Sequence, residues 1–166
     1  NGDSFAAYLL GSVYKSGLGV PGDNAKANQW FMKSARLGDI NGAVMIALSM
    51  RAKRDQVGEQ DRIPGFCPWY VKTLDMAARL GSFIAADILG RNYARGYCVS
   101  RSALESRYYF TLARNIDKSL GVRLANKNPL NSDDQRILDN RLATKDSANT
   151  DARFFEYFFS TFERFR

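Results

Sequence analysis

The chain has 166 residues, 45% of them hydrophobic and 25% charged, with 24 lysines and arginines against 17 acids for a net charge of +7. That is one domain's worth of chain with a sizeable core, and no stretch nears the roughly 18 apolar residues that cross a bilayer. Histidine is absent and cysteine occurs twice, at Cys67 and Cys98, which excludes Ser-His or Cys-His nucleophile pairs and leaves no expected metal site or cofactor.

The basic residues are dispersed and form no block of five or six. A solvated surface or an acidic protein partner fits this better than nucleic acid. The start at Asn1 suggests a processed chain or an excised piece.

In chain order, "SFAAYLLGSVYKS" carries Ala7, Leu10, Gly11 and Tyr14 at i, i+3, i+4, i+7, the stripe of an amphipathic helix. Next comes "GLGVPG", Gly17 to Gly22, which fits the G-x-G-x-x-G of a dinucleotide site. That site requires a preceding strand, and here a helix precedes. Pro21 also lacks the backbone N–H that a phosphate cradle uses. The glycines instead end a helix and form a turn, with Asp23 or Asn24 capping the next helix. That helix, "AKANQWFMKSARLG", presents Ala27, Trp30, Phe31, Ser34 and Ala35 on one face and stops at Gly38.

The pattern then recurs. "SARLG" at 34–38 returns as "AARLG" at 77–81, and "LGSVYKSG" at 10–17 returns as "LGRNYARG" at 89–96. A third stripe, Ala43, Ile46, Ala47 and Met50, aligns with Ala7, Leu10, Gly11, Tyr14 and with Ala86, Leu89, Gly90, Tyr93. Periodic helix pairs of this length are the mark of a stacked repeat.

The stretch "AYLLGSVYKSGLGVPGDNAKANQWFMKSARLGD" resembles a Sel1-like repeat, a relative of the tetratricopeptide repeat. It matches that pattern at Ala7, Leu10 or its neighbours, Gly11, Tyr14, Gly17, Gly19, Val20, Asp23, Lys26, Ala27, Trp30, Lys33, Ala35 and Gly38. A second copy, about 41–81, has a longer elbow without G-x-G-V. A third, about 82–116, has Cys98 for the second glycine and Tyr108–Tyr109 around the tryptophan position.

The resemblance implies an all-α, right-handed α-solenoid of about three helix-hairpin repeats over 1–116 (about 3–40, 41–81 and 82–116). Residues 117–166 would be a linker and C-terminal helices capping it. In that tail, 117–131 reads as a loop around Pro129. "SDDQRILDNRLATKDS" reads as a helix capped by Ser132 and ending near 147–149. "DARFFEYFFSTFERFR" is a helix with Phe155, Phe158, Phe159, Phe162 and Phe165 on a stripe widened by Phe154 and Tyr157. Packing on the third repeat is the expected use of these rings, ahead of a partner face or a membrane surface.

Stacked hairpins would bring successive elbows to one edge, and so Cys67 near Cys98. A bridge and two free thiols both remain open. A bridge implies an oxidising compartment, bacterial periplasmic or secreted, and free thiols a cytoplasmic one. Family members with disulfides usually form them inside one repeat, so a bridge between repeats would be a departure.

The family consists of non-catalytic adaptors whose first helices line a concave face. Residues off the apolar stripe on those helices are therefore the candidate partner-binding set: Phe5, Tyr8, Ser12, Lys15; Asn41, Val44, Leu48, Arg51; Asp87, Arg91, Arg95. Lys15, Arg51, Arg91 and Arg95 would give this face a positive cast around Tyr8, Val44 and Leu48, suited to an acidic or mixed-charge partner. Immunity to a secreted bacterial effector is the alternative specific role, and a basic nucleic-acid module the alternative class. An enzyme using Asp133–Asp134 or Glu156/Glu163 is not expected, because neither pair lies in a site-building motif.

Overall fold

The computed structural model describes residues 2–56, 64–116, 131–143 and 151–164. Eight helices and no strand occur among the described residues. They fall into two compact units, one of residues 1–66 with 151–166, the other of residues 67–150.

The first unit opens with α1 (Ser4–Ser16). The Asp3 carboxylate accepts from the N–H groups of Phe5 and Ala6, and Gly17 at φ 70° closes the helix with its N–H on the Val13 carbonyl. Only glycine adopts that left-handed conformation without cost, so the "GLGVPG" stretch is a helix stop and a turn. Asp23 then caps α2 (Asn24–Arg36) by accepting from the Lys26 N–H at 2.9 Å.

What joins α1 to α2 is a ring in a notch. A Cβ on Gly11 would lie 2.6 Å from the Phe31 ring, and Phe31 is fully buried. The helix gives up a side chain so that the ring can seat against its backbone.

At the end of α2, the Asp39 N–H donates to the Ser34 carbonyl, and the Asp39 carboxylate accepts from the Asn41 N–H and the Ser34 hydroxyl. This starts α3 (Ile40–Gln56), which doubles back along α2. Gly42 allows the approach, since a Cβ there would lie 2.8 Å from the Phe31 carbonyl and the Ala35 nitrogen. Ile46 is 4% exposed, whereas Leu10, its counterpart on α1, stays 40% exposed. The stripe read from the sequence is thus incompletely covered in the first copy.

In the second unit, α4 (Phe66–Arg79, entering the unit at Cys67) supplies the buried Trp69, Tyr70 and Leu74. Ser82 caps α5 (Phe83–Arg95), and Gly96 ends it at φ 77°. The notch recurs against α6 (Ala103–Ile116): a Cβ on Gly90 would lie 2.7 Å from the Phe110 ring. The Ser106 hydroxyl donates to the Gly90 carbonyl at 2.9 Å, adding a bond across the same contact.

The tail departs from expectation. Asn131, not Ser132, caps α7 (Ser132–Ala143): its side chain accepts from the Asp134 N–H and donates to the Asp134 carboxylate. That is a reciprocal capping pair, and it shifts the cap by one residue. An Arg141–Glu105 ion pair and the Arg141 guanidinium 4.0 Å over the Tyr108 ring hold α7 to α6.

The last helix, α8 (Asp151–Phe162), buries Phe154 and Phe158 completely. Where the sequence suggested one cap for the third repeat, α7 groups with the second unit and α8 with the first. The linker over 117–130, the expected helix end at 147–149 and Phe165 lie outside the described residues.

Gly11→Ala should cost about 1–3 kcal/mol by overpacking against Phe31, despite the helix propensity it gains. Urea unfolding will show this as a lowered midpoint. Gly19→Ala is a strain control, because its site is open and only its φ of 76° resists the change.

Candidate protein-interaction site

The first-helix residues singled out above meet different fates. On α1, Phe5 is 60% exposed and stacks on Tyr8 at 6.4 Å, which in turn tilts against Phe31 at 5.8 Å. Burial pushes the Tyr8 phenol above its ordinary pKa. The Ser12 hydroxyl donates to the Tyr8 carbonyl, and Lys15 Nζ donates to Asn24 Oδ1 at 2.9 Å.

On α3, Asn41 is part of the helix start, with its N–H donating to Asp39, and Leu48 is half-buried. Val44 is a correction: it is fully buried and presents nothing to a partner. α3 is apolar on more than one side, so a residue off the predicted stripe is still interior.

The expected positive cast is also weaker than the sequence suggested. Arg51 pairs with Asp55 at 3.5 Å and Arg91 with Asp87 at 2.8 Å, both i,i+4 on their own helices. Such pairs contribute only about 0.3–0.5 kcal/mol to stability, but they offset the charge a partner would meet. Arg95, exposed on α5, accepts at its carbonyl from Arg101 Nε.

A feature missed in the sequence lies elsewhere in the first unit. A cleft of about 670 Å³ runs between α2 and α3, with the end of α8 beside it. Met32, Ile46, Met50 and Phe162 supply its apolar surface, and Asn28, Gln29 and Ser49 its neutral polar groups. Lys33, Arg36 and Lys53 border it, with Glu163 as the acid. The Ser49 hydroxyl donates to Asn28 Oδ1 at 2.6 Å, which fixes the registry of the two helices. The i, i+3, i+4 spacing of Lys33 and Arg36 with Gln29 and Met32 was a visible signal. The contribution of α8, more than a hundred residues away, was not.

In the second unit Cys67 and Cys98 form a disulfide, with Cα atoms 5.0 Å apart. Cys98 has φ 58°, the left-handed conformation that Gly19 adopts at the equivalent elbow position in the first copy. A non-glycine residue there costs about 1–3 kcal/mol, which the covalent link holds in place.

Beside the bridge lies a hollow of about 480 Å³ lined by Lys72, Asp75, Tyr93 and Tyr109 among others. Asp75 accepts from the Tyr109 hydroxyl at 2.5 Å and from Arg79 Nε at 2.9 Å, and the Tyr93 and Tyr109 rings stack at 5.6 Å. Burial, then the Asp75 charge, pushes the Tyr109 phenol well above the ordinary tyrosine range. Asp75, Arg79 and Tyr109 thus bond one another within the fold, which is structural bonding. Among the described residues no group of three or more His, Cys, Asp or Glu side chains could hold a metal ion, and no helix is long and apolar enough to cross a membrane.

Paired helices, left-handed glycines at their elbows and a ring-in-notch contact repeated 79 residues apart define a helix-hairpin repeat protein. The Sel1 repeat family model matches residues 4–39 and 84–115, the hairpins α1–α2 and α5–α6. Both hairpins are thus similar to Sel1 repeats, and Sel1 repeats are generally protein–protein interaction modules. No curated protein matches the sequence.

Two outcomes follow. The 31-residue separation of the linked cysteines corresponds to about 3–4 kcal/mol of chain-entropy stabilisation, so Cys67→Ser should lower the denaturation midpoint markedly and the wild type should lose the same increment in reductant. Because the folded Tyr109 phenol titrates above its unfolded value of 10.0, its stabilisation is complete below that pH and is lost as pH rises beyond it. Denaturation midpoints should therefore fall above about pH 10, and Tyr109→Phe should flatten that decline.

Proposed function

We propose that this chain is a non-catalytic adaptor that binds a partner protein through the exposed surface of its first helices. In the first unit the set is Phe5, Tyr8, Ser12 and Lys15 on α1 with Asn41, Leu48 and Arg51 on α3; the second unit, taken by itself, offers Asp87, Arg91 and Arg95 on α5. The observation that carries this reading is the Phe5–Tyr8 stack: a large exposed ring is braced at 6.4 Å by a second ring that itself leans on the core. A braced aromatic loses little conformational freedom on docking, and such anchors dominate interface energies. The i,i+4 pairing of Arg51 and Arg91 favours a partner of mixed charge over a strongly acidic one.

The absence of histidine from the whole chain supports a binding role over hydrolysis or metal chemistry. The Cys67–Cys98 bridge supports an oxidising compartment, a bacterial periplasm or the exterior.

Immobilised wild type and a Phe5→Ala/Tyr8→Ala variant, exposed to the same native extract, test the surface. Recovery of the partner should fall about tenfold or more in the variant. Recovery should fall less in Arg51→Glu/Arg91→Glu, where the charges already have partners. Equal recovery by all three proteins would discard the first-helix surface.

A further inference from the structure

We infer that the α2–α3 cleft is a second binding site that takes an extended acidic peptide segment with apolar side chains. This rests on the reading of the chain as a protein-binding module, but not on its first-helix surface.

The chemistry follows from how the two helices run. Gly42 faces Phe31 and Ala35, while Ser49 bonds Asn28, so α3 passes α2 in the opposite direction. Lys53, late in α3, therefore sits at the Ala25 end of the cleft, and Lys33 and Arg36, late in α2, sit at the other. From Ala25 to Arg36 is eleven residues of helix, about 16 Å. An extended chain advances about 3.3 Å per residue, so the cleft matches about five residues of peptide with a cation near each end.

Cations in the last turn of a helix commonly answer only the helix dipole. Two observations go further here. The three cations border one cleft, and among the described residues none of them lies within ion-pair distance of a carboxylate. Arg51, Arg79, Arg91, Arg136 and Arg141 do have such partners. Between the cationic ends the surface is apolar and adaptable: Met32 and Met50, flexible thioethers, line it together with the largely buried Ile46. Asn28 and Gln29 offer amides to a peptide backbone.

Nucleic acid would use the same cations but would need a flat aromatic platform for its bases. Trp30, the large ring of α2, does not line the cleft, and Lys33 Nζ sits 4.8 Å over its face. The floor is suited to leucine or methionine side chains rather than to bases.

The test uses an immobilised peptide array of constant apolar content in which acids are replaced stepwise by lysine, with a single-stranded oligothymidylate as a competitor. Wild type should bind acidic, leucine-containing peptides and lose them as lysine replaces acid. Lys33→Glu/Arg36→Glu/Lys53→Glu changes only side chains at the surface, and should weaken acidic peptides about tenfold or more and shift preference to basic ones. Met50→Ala should weaken all apolar-anchored peptides with the charge preference unchanged. Phe5→Ala/Tyr8→Ala should bind the array as wild type does, which separates this site from the first-helix surface. Three results overturn the inference: no preference for acidic peptides, an unchanged preference in the charge-reversed variant, or displacement of bound peptide by oligothymidylate at equal concentration, which would indicate a nucleic-acid site.

Discussion

Everything in this molecule depends on two rings seated against two bare stretches of helix. Gly11 takes Phe31 and Gly90 takes Phe110, and in both cases a single added carbon would collide with the ring. The contact does what hydrophobic burial alone does not. It sets the distance and the rotation of the second helix on the first, because a close-packed aromatic has one seat and no neighbouring one. Once that seat is fixed, the caps at Asp3, Asp23 and Ser82 and the left-handed stops at Gly17 and Gly96 set where each helix starts and ends.

A hairpin fixed from within leaves its other faces free to differ, and they do. On α1, the outward face keeps Phe5 exposed on a braced stack. Between α2 and α3 the close approach at Gly42 brings two late-helix cationic groups to opposite ends of one apolar cleft. In the second unit, the elbow position that is glycine in the first copy is a cysteine in the same left-handed conformation, and the bridge to Cys67 stabilises a geometry the side chain disfavours. The first unit thus carries a braced exposed ring and a cleft bordered by cations, and the second a covalent staple.

Much of this was legible in the chain itself. The spacing of "LGSVYKSG" and "LGRNYARG" revealed the paired helices, and the glycine-rich stretch gave itself away as a turn through Pro21 and the helix before it. The neutralising partners of Arg51 and Arg91 also stand four residues away in the sequence, at Asp55 and Asp87, so the loss of positive cast follows from helix periodicity alone. What periodicity did not reveal was depth. Val44 looks like a surface position on a single stripe, but α3 is covered on more than one side and buries it. Nor did it reveal long-range placement: α8 belongs with the first unit, and no local signal in a phenylalanine-rich helix says which neighbour its rings will meet.

The most direct measurement of the ring-in-notch account is native-state amide hydrogen exchange across α1 and α2, and across α5 and α6. If Phe31 and Phe110 tie each pair together, the central amides of both helices in a hairpin will open with one common free energy, and Phe31→Ala will lower protection in α1 and α2 by the same amount. Loss of protection confined to α2, with α1 still exchanging at its original rate, would contradict it.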